Sequence, residues 1–127
     1  MALGITLALA FMVQAPEEIV PTVQTTADVG LEELVAGRDR AALEVIENCE
    51  ELAATDPARL INRGIALARL GRYDEARSDF EAAASASEAV DLETASGDWV
   101  DSRRLARRAL AMLDKGEFAR YYALSLR

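Results

Sequence analysis

Apolar side chains recur along this chain at spacings of three, four and seven residues, the rhythm that lays one apolar stripe along a helix. Leu31 and Leu34, Leu43 and Ile46, Leu60 and Leu67, and Tyr73 and Phe80 are such pairs, with charged residues between them. Stop and start signals divide the stripes. Asp56-Pro57 suits a helix N-cap followed by proline in the first turn, and Gly71 suits a helix end that needs positive φ. The pattern predicts helices near residues 27–36, 39–54, 57–70, 73–87, 101–115 and 117–125. Their core is expected to draw on Leu31, Leu34, Leu43, Ile46, Leu60, Ile65, Leu67, Phe80, Leu105, Leu110 and Phe118. Residues 88–100 (EAVDLETASGDWV) are polar and read as an extended loop.

The glycines reveal a longer period. Gly30 and Gly37 are seven apart, as are Gly64 and Gly71, which lie 34 residues further on. Under the same shift Arg38 falls on Arg72, Ala42 on Ala76, Ile46 on Phe80, Glu47 on Glu81 and Cys49 on Ala83. A fixed period of this length is the mark of helix-turn-helix repeats. A third, degenerate copy follows at a shift of 45, placing Leu60 on Leu105, Gly64 on Ala109, Gly71 on Gly116 and Tyr73 on Phe118. The small position Ala76 then falls on Tyr121, which suits a unit that ends the stack.

The second copy resembles the tetratricopeptide repeat family. Leu60, Gly64, Leu67, the turn Gly71 with Tyr73, then Ala76, Phe80 and Ala83 stand at that family's characteristic places. Arg63, where an apolar residue is usual, and the lack of a closing proline near Glu88 depart from it. The resemblance implies an all-α fold: a short stack of about three antiparallel helix pairs, a fragment of a right-handed superhelix. Repeats are expected over residues 23–56 and 57–90, with the degenerate third over 101–127, in one domain spanning 27–127. Small side chains at Gly64 and Ala76 would let the paired helices approach closely, while Tyr73 and Phe80 plug the groove between neighbours. The resemblance also implies a non-catalytic module that binds a protein or peptide in the groove lined by the first helices, where Glu33, Asn62, Arg63, Ala66 and Arg69 fall.

The first residues are of another kind. Met1–Val13 carries no charged side chain and is too short to span a bilayer, which takes about 20 residues. Its length fits the apolar region of a signal peptide, and Val13-Gln14-Ala15 resembles a cleavage site. No basic residue precedes the run, and Pro16 would follow the cut. The segment 1–15 therefore reads as a signal or an anchor, with a buried first helix as the alternative. On the export reading residues 16–26 are a linker, and the chain is a small exported bacterial protein, periplasmic or secreted. Any membrane contact would run through that segment if it stays uncleaved.

Charge adds asymmetry. The net charge of −8 conceals an acidic front, with eleven acids against Arg38 and Arg40 between Glu17 and Asp56, and a basic end, with seven bases against two acids from Arg103 to Arg127. The two ends could steer partners or attract each other. The overall acidity argues against nucleic acid as a partner. With no histidine and Cys49 as the one cysteine, histidine-base catalysis, zinc sites of histidine and cysteine, and an internal disulfide are excluded. No cofactor or metal is expected. Cys49 is expected to be buried, and Glu47, Glu50 and Glu51 to form a solvated face; a small carboxylate-using enzyme is the remote alternative.

Two features stand outside the repeat pattern. Arg103 with Arg107 and Arg104 with Arg108 are i,i+4 pairs that spread four guanidiniums over one helix face. They suit a clamp for a partner's carboxylate or phosphate; the alternative favoured by the acids just before them is pairing with Asp98, Asp101 and the acidic front. Trp99, the sole tryptophan, is either a binding hot spot or an anchor pinning the polar insertion to the helices. A permanent structural or assembly subunit is the alternative to a transient binder.

Overall fold

The computed structural model describes residues 21–22, 29–94 and 96–125. Segment 1–15, and the proposed linker apart from Pro21 and Thr22, lie outside the described residues. Six helices follow in pairs: α1 (Leu31–Val35) with α2 (Asp39–Glu47), α3 (Pro57–Arg69) with α4 (Tyr73–Ala84), and α5 (Ser102–Asp114) with α6 (Ala119–Ser125). Consecutive helices pack on one another from α1 to α5, and α6 folds back on α3. The molecule is thus the all-α stack that the repeat predicts.

One turn closes the first helix of every pair. Gly37, Gly71 and Gly116 adopt φ of +73°, +78° and +70°. Their N–H groups donate to Leu34 O, Ala68 O and Leu113 O at 3.1 Å each. The next residues, Arg38, Arg72 and Glu117, donate to Glu33 O, Leu67 O and Met112 O at 2.8, 2.9 and 3.0 Å. These paired bonds satisfy the last carbonyls of each helix, and glycine takes the left-handed conformation without a Cβ penalty. The third copy, read at a shift of 45, is therefore a real unit with the same turn.

The helix starts and ends differ from expectation where local chemistry intervenes. Asp56 caps α3 through its Oδ1, which accepts from Ala58 N–H at 2.9 Å and Arg59 N–H at 3.2 Å, with Pro57 in the first turn. Asp101 does the same for α5 by accepting from Arg104 N–H at 3.1 Å. Helix α2 stops at Glu47 instead of running to residue 54. Acids at the C-terminal end of a helix oppose its dipole, and Glu47, Glu50 and Glu51 crowd there. The Arg59 guanidinium takes over, donating to Cys49 O at 2.8 Å, Leu52 O at 2.6 Å and Glu47 O at 3.3 Å.

Phe80, Leu34, Ile46, Ile61 and Leu67 form the deepest core, and Leu92 and Leu113 join it. Of the core set expected from sequence only Leu31 and Leu110 are partly exposed, still packed against the rest. Gly64 lies so close to Phe80 that a Cβ there would sit 2.4 Å from the ring. Tyr73 does not plug the groove as expected, being exposed, and Cys49 is only half-buried.

The insertion is a hairpin and not the extended loop expected. Strands β2 (Asp91–Thr94) and β3 (Trp99–Asp101) pair antiparallel, and β1 (Pro21–Thr22), from the stretch read as a linker, pairs with the other edge of β2. Leu92 and Thr94 turn inward. Ser102 ties the base of the hairpin to α5: its N–H donates to Val90 O at 2.8 Å and its Oγ accepts from Val90 N–H at 3.1 Å.

Candidate partner-binding cleft

The turn at Gly116 sends the chain back across α3 and α5, and two aromatics fix where it lands. Phe118 is buried and stacks on Phe80, ring centroids 6.2 Å apart and planes 23° from parallel. Tyr121 lies 6.5 Å from Phe118 and receives the Arg69 guanidinium over its ring at 4.7 Å. Arg120 covers the same ring at 4.9 Å and donates to the Tyr121 hydroxyl at 3.2 Å. Cations over an aromatic face are attracted by its quadrupole, so the Arg69 contact holds α6 to α3, while the Arg120 contact lies within α6.

Between α3, α5 and α6 this leaves an open cleft of about 550 Å³. Ile61, Ile65, Leu105, Ala109 and Met112 make its apolar floor. Four cations line it, Arg69, Arg108, Lys115 and Arg120, against one acid, Glu117. Arg69 is already committed: it is buried and donates to Leu34 O at 2.8 Å and Asp39 Oδ1 at 3.4 Å, tying the second unit to the first. Arg108 and Lys115 form no ion pair among the described residues. The cleft therefore offers apolar contact below and positive charge at its rim, in a protein that is acidic overall.

The residues singled out in sequence scatter around this site. Arg69 and Arg108 line it. Ala66 and Asn62 are fully buried, Asn62 donating through Nδ2 to Val29 O at 3.1 Å, so a partner reaches neither without moving the chain that covers them. Arg63 faces α4 and grips Asp79 with two hydrogen bonds of 2.7 Å each. The Asp79 hydrogen bond raises the Arg63 pKa further above its ordinary value, against the opposing effect of partial burial. Glu33 is half exposed on α1.

Arg103, Arg104, Arg107 and Arg108 do not pair with Asp98, Asp101 or the acidic front among the described residues, contrary to the favoured expectation. Asp98 is engaged within the hairpin turn by Ser96 Oγ at 3.1 Å, and Asp101 caps α5. Trp99 is 47% exposed, so it does not serve as a buried anchor. Lys115, Arg120 and Tyr121 were not singled out as site residues. Their signal was the placement of Tyr121 at a position that is small in an ordinary repeat.

Among the described residues no three histidine, cysteine or acidic side chains converge to hold a metal ion, and no helix is long and apolar enough to cross a membrane. Comparison with protein families matches residues 57–89 to the tetratricopeptide repeat. That span covers α3, the Gly71 turn, α4 and the residues leading into β2. No curated protein and no solved structure matches the chain.

Proposed function

Because the chain is a member of the tetratricopeptide repeat family through residues 57–89, whose members generally act as non-catalytic scaffolds that bind proteins or peptides, we propose that it captures an acidic segment of a partner protein in the cleft between α3, α5 and α6. One observation carries the reading: Arg108 and Lys115 stand unpaired among the described residues at the rim of an apolar floor. An acidic peptide bearing one or two apolar side chains meets both features. Its carboxylates would approach Arg108, Lys115 and Arg120, and its apolar groups would cover Ile65 and Met112. Fixed positive charge raises the encounter rate and rejects basic competitors more than it adds affinity, while the floor supplies the hydrophobic gain.

Titrating the full chain into a fluorescently labelled acidic peptide and following anisotropy tests this. Binding that weakens by about tenfold or more in the Arg108→Glu/Lys115→Glu variant, and that a basic peptide of the same apolar content does not show, supports the cleft. Equal binding of both peptides, or no effect of the double variant, contradicts it.

The same proposal places the module outside the cytoplasm, exported or tethered by Met1–Val13, on the strength of that run's length and the Val13-Gln14-Ala15 site. Mass spectrometry of the chain recovered from the cell envelope checks this. Export predicts an N-terminus at Pro16, or an intact chain in the membrane fraction; an intact chain in the soluble cytoplasm overturns it.

A further inference from the structure

Beside the cleft, α5 turns a second basic surface to solvent. Arg104 and Arg107 are exposed, lie three apart on the outer face of the helix and do not line the cleft. At the other end of the stack the exposed edge is acidic: Glu44 and Glu47 on α2, then Glu50 and Glu51 in the turn after it. Residues 29–56 carry eight acids and two arginines, whereas residues 102–122 carry six bases and two acids. Within one molecule these sets do not meet. The ion pairs between helices among the described residues are Arg63–Asp79, Arg69–Asp39 and Arg77–Asp114, and none joins the outer α5 face to the first unit.

We propose that the acidic edge of one copy docks on the outer α5 face of a second copy, so that the chains associate head to tail. Charge complementarity selects the occupant. The molecule itself carries the surface that its own basic end lacks a partner for, and like-charged side chains crowded at each end repel until the other end arrives. The two surfaces are different, so the contact is heterologous and leaves a free acidic edge and a free basic face on every pair. Association therefore continues into open chains and does not stop at a closed dimer. Arg40 and Arg72 line the shallow depression beside Glu44 and Glu47 and moderate the acidic field there, whereas Glu50 and Glu51 stand beyond it. Exposed ion pairs contribute little each, which makes the contact weak, dependent on several charges together and sensitive to salt.

Sedimentation velocity on the full chain tests this across a concentration series at ~0.05 M and ~1 M salt, where the screening length falls several-fold. The sedimentation coefficient of the wild type rises with concentration at low salt and stays monomeric at high salt. Arg104→Glu/Arg107→Glu alone and Glu47→Arg/Glu51→Arg alone each remain monomeric at low salt. An equimolar mixture of the two associates, because each then carries the charge that the other lacks. The neutral pair Arg104→Gln/Arg107→Gln weakens association by about tenfold with helicity unchanged. A wild type that stays monomeric at low salt overturns the proposal, as does association that neither reversal affects or a mixture that fails to associate. A monomeric wild type that still binds the acidic peptide in its cleft overturns self-docking alone.

Discussion

The first and second units share a 34-residue register, yet only the second builds two full helices. In both, the register glycine packs on the register residue of the following helix: a Cβ on Gly64 would meet Phe80 at 2.4 Å, and one on Gly30 would meet Ile46 at 2.9 Å. What surrounds that contact differs. Asp56 and Pro57 start α3 seven residues before Gly64, so Gly64 lies mid-helix. The corresponding places in the first unit are Thr22 and Val23, and Thr22 is spent in β1. Gly30 consequently takes φ +72° as the cap of a five-residue α1. The pair of contacts is preserved although Gly30, unlike Gly64, stands outside its helix as the cap. In repeat proteins it is thus the inter-helix contact, more than helix length, that defines a unit.

The comparison breaks most readily at its centre. Phe80→Ala should cost about 3–5 kcal/mol, since it opens a cavity against both Gly64 and Phe118. Ile46→Ala is predicted to cost less, because the first unit has fewer neighbours to lose. Equal losses in urea titrations of the two variants would mean that both units carry the core alike. Gly64→Ala comes next. Its gain in helix propensity, about 1 kcal/mol, is outweighed by overpacking that costs about 1–3 kcal/mol, and the cost should shrink in a Phe80→Leu background. A thermal melt of all four members of that double-mutant cycle reads the coupling.

The end of α2 offers a sharper test. Arg59→Ala removes the guanidinium that gathers three carbonyls and should cost about 1–3 kcal/mol, with early hydrogen exchange confined to α2 and the turn after it. Asp56→Ala should cost about 1 kcal/mol through the lost cap of α3. If the Asp56 variant proves the costlier, α2 does not depend on Arg59. The smallest effect is optical. Trp99 fluorescence should be open to a soluble quencher and unchanged by Phe80→Leu, whereas a protected, blue-shifted signal would place the ring against the helices.

Much of this fold is legible in the sequence because its turns are chemically explicit. Gly37, Gly71 and Gly116 could be aligned at shifts of 34 and 45, and each closes its helix with the same pair of hydrogen bonds. Asp56-Pro57 likewise announced its cap. The hairpin was missed for a physical reason: β2 and β3 are four and three residues long, rich in acids, and gain their order from burying Leu92 and from the Ser102–Val90 clamp. The alternation of Asp91, Leu92, Glu93 and Thr94 was the one local sign of a strand. The pairing of β1 with β2 joins residues about seventy apart, which no local pattern encodes.

The cleft was partly legible. Arg69 falls at a groove position of the repeat and Arg108 in an i,i+4 arginine pair, but neither placement says what a side chain meets. Arg69 turned inward to Leu34 and Asp39, Arg63 to Asp79, and Asn62 beneath Val29. Conversely, the four arginines of α5 stayed free of the nearby acids because Asp101 was claimed by the helix start and Asp98 by the hairpin turn. Backbone capping by a carboxylate outcompetes an exposed ion pair that is worth well under about 1 kcal/mol.

Amide chemical-shift mapping of the ¹⁵N-labelled chain, titrated with the acidic peptide, tests the central claim most directly. The account predicts saturable perturbations at Ile65, Ala109, Met112, Lys115 and Arg120, around the cleft between α3, α5 and α6. Perturbations confined to α1 and α2, or none at saturating peptide, would contradict it.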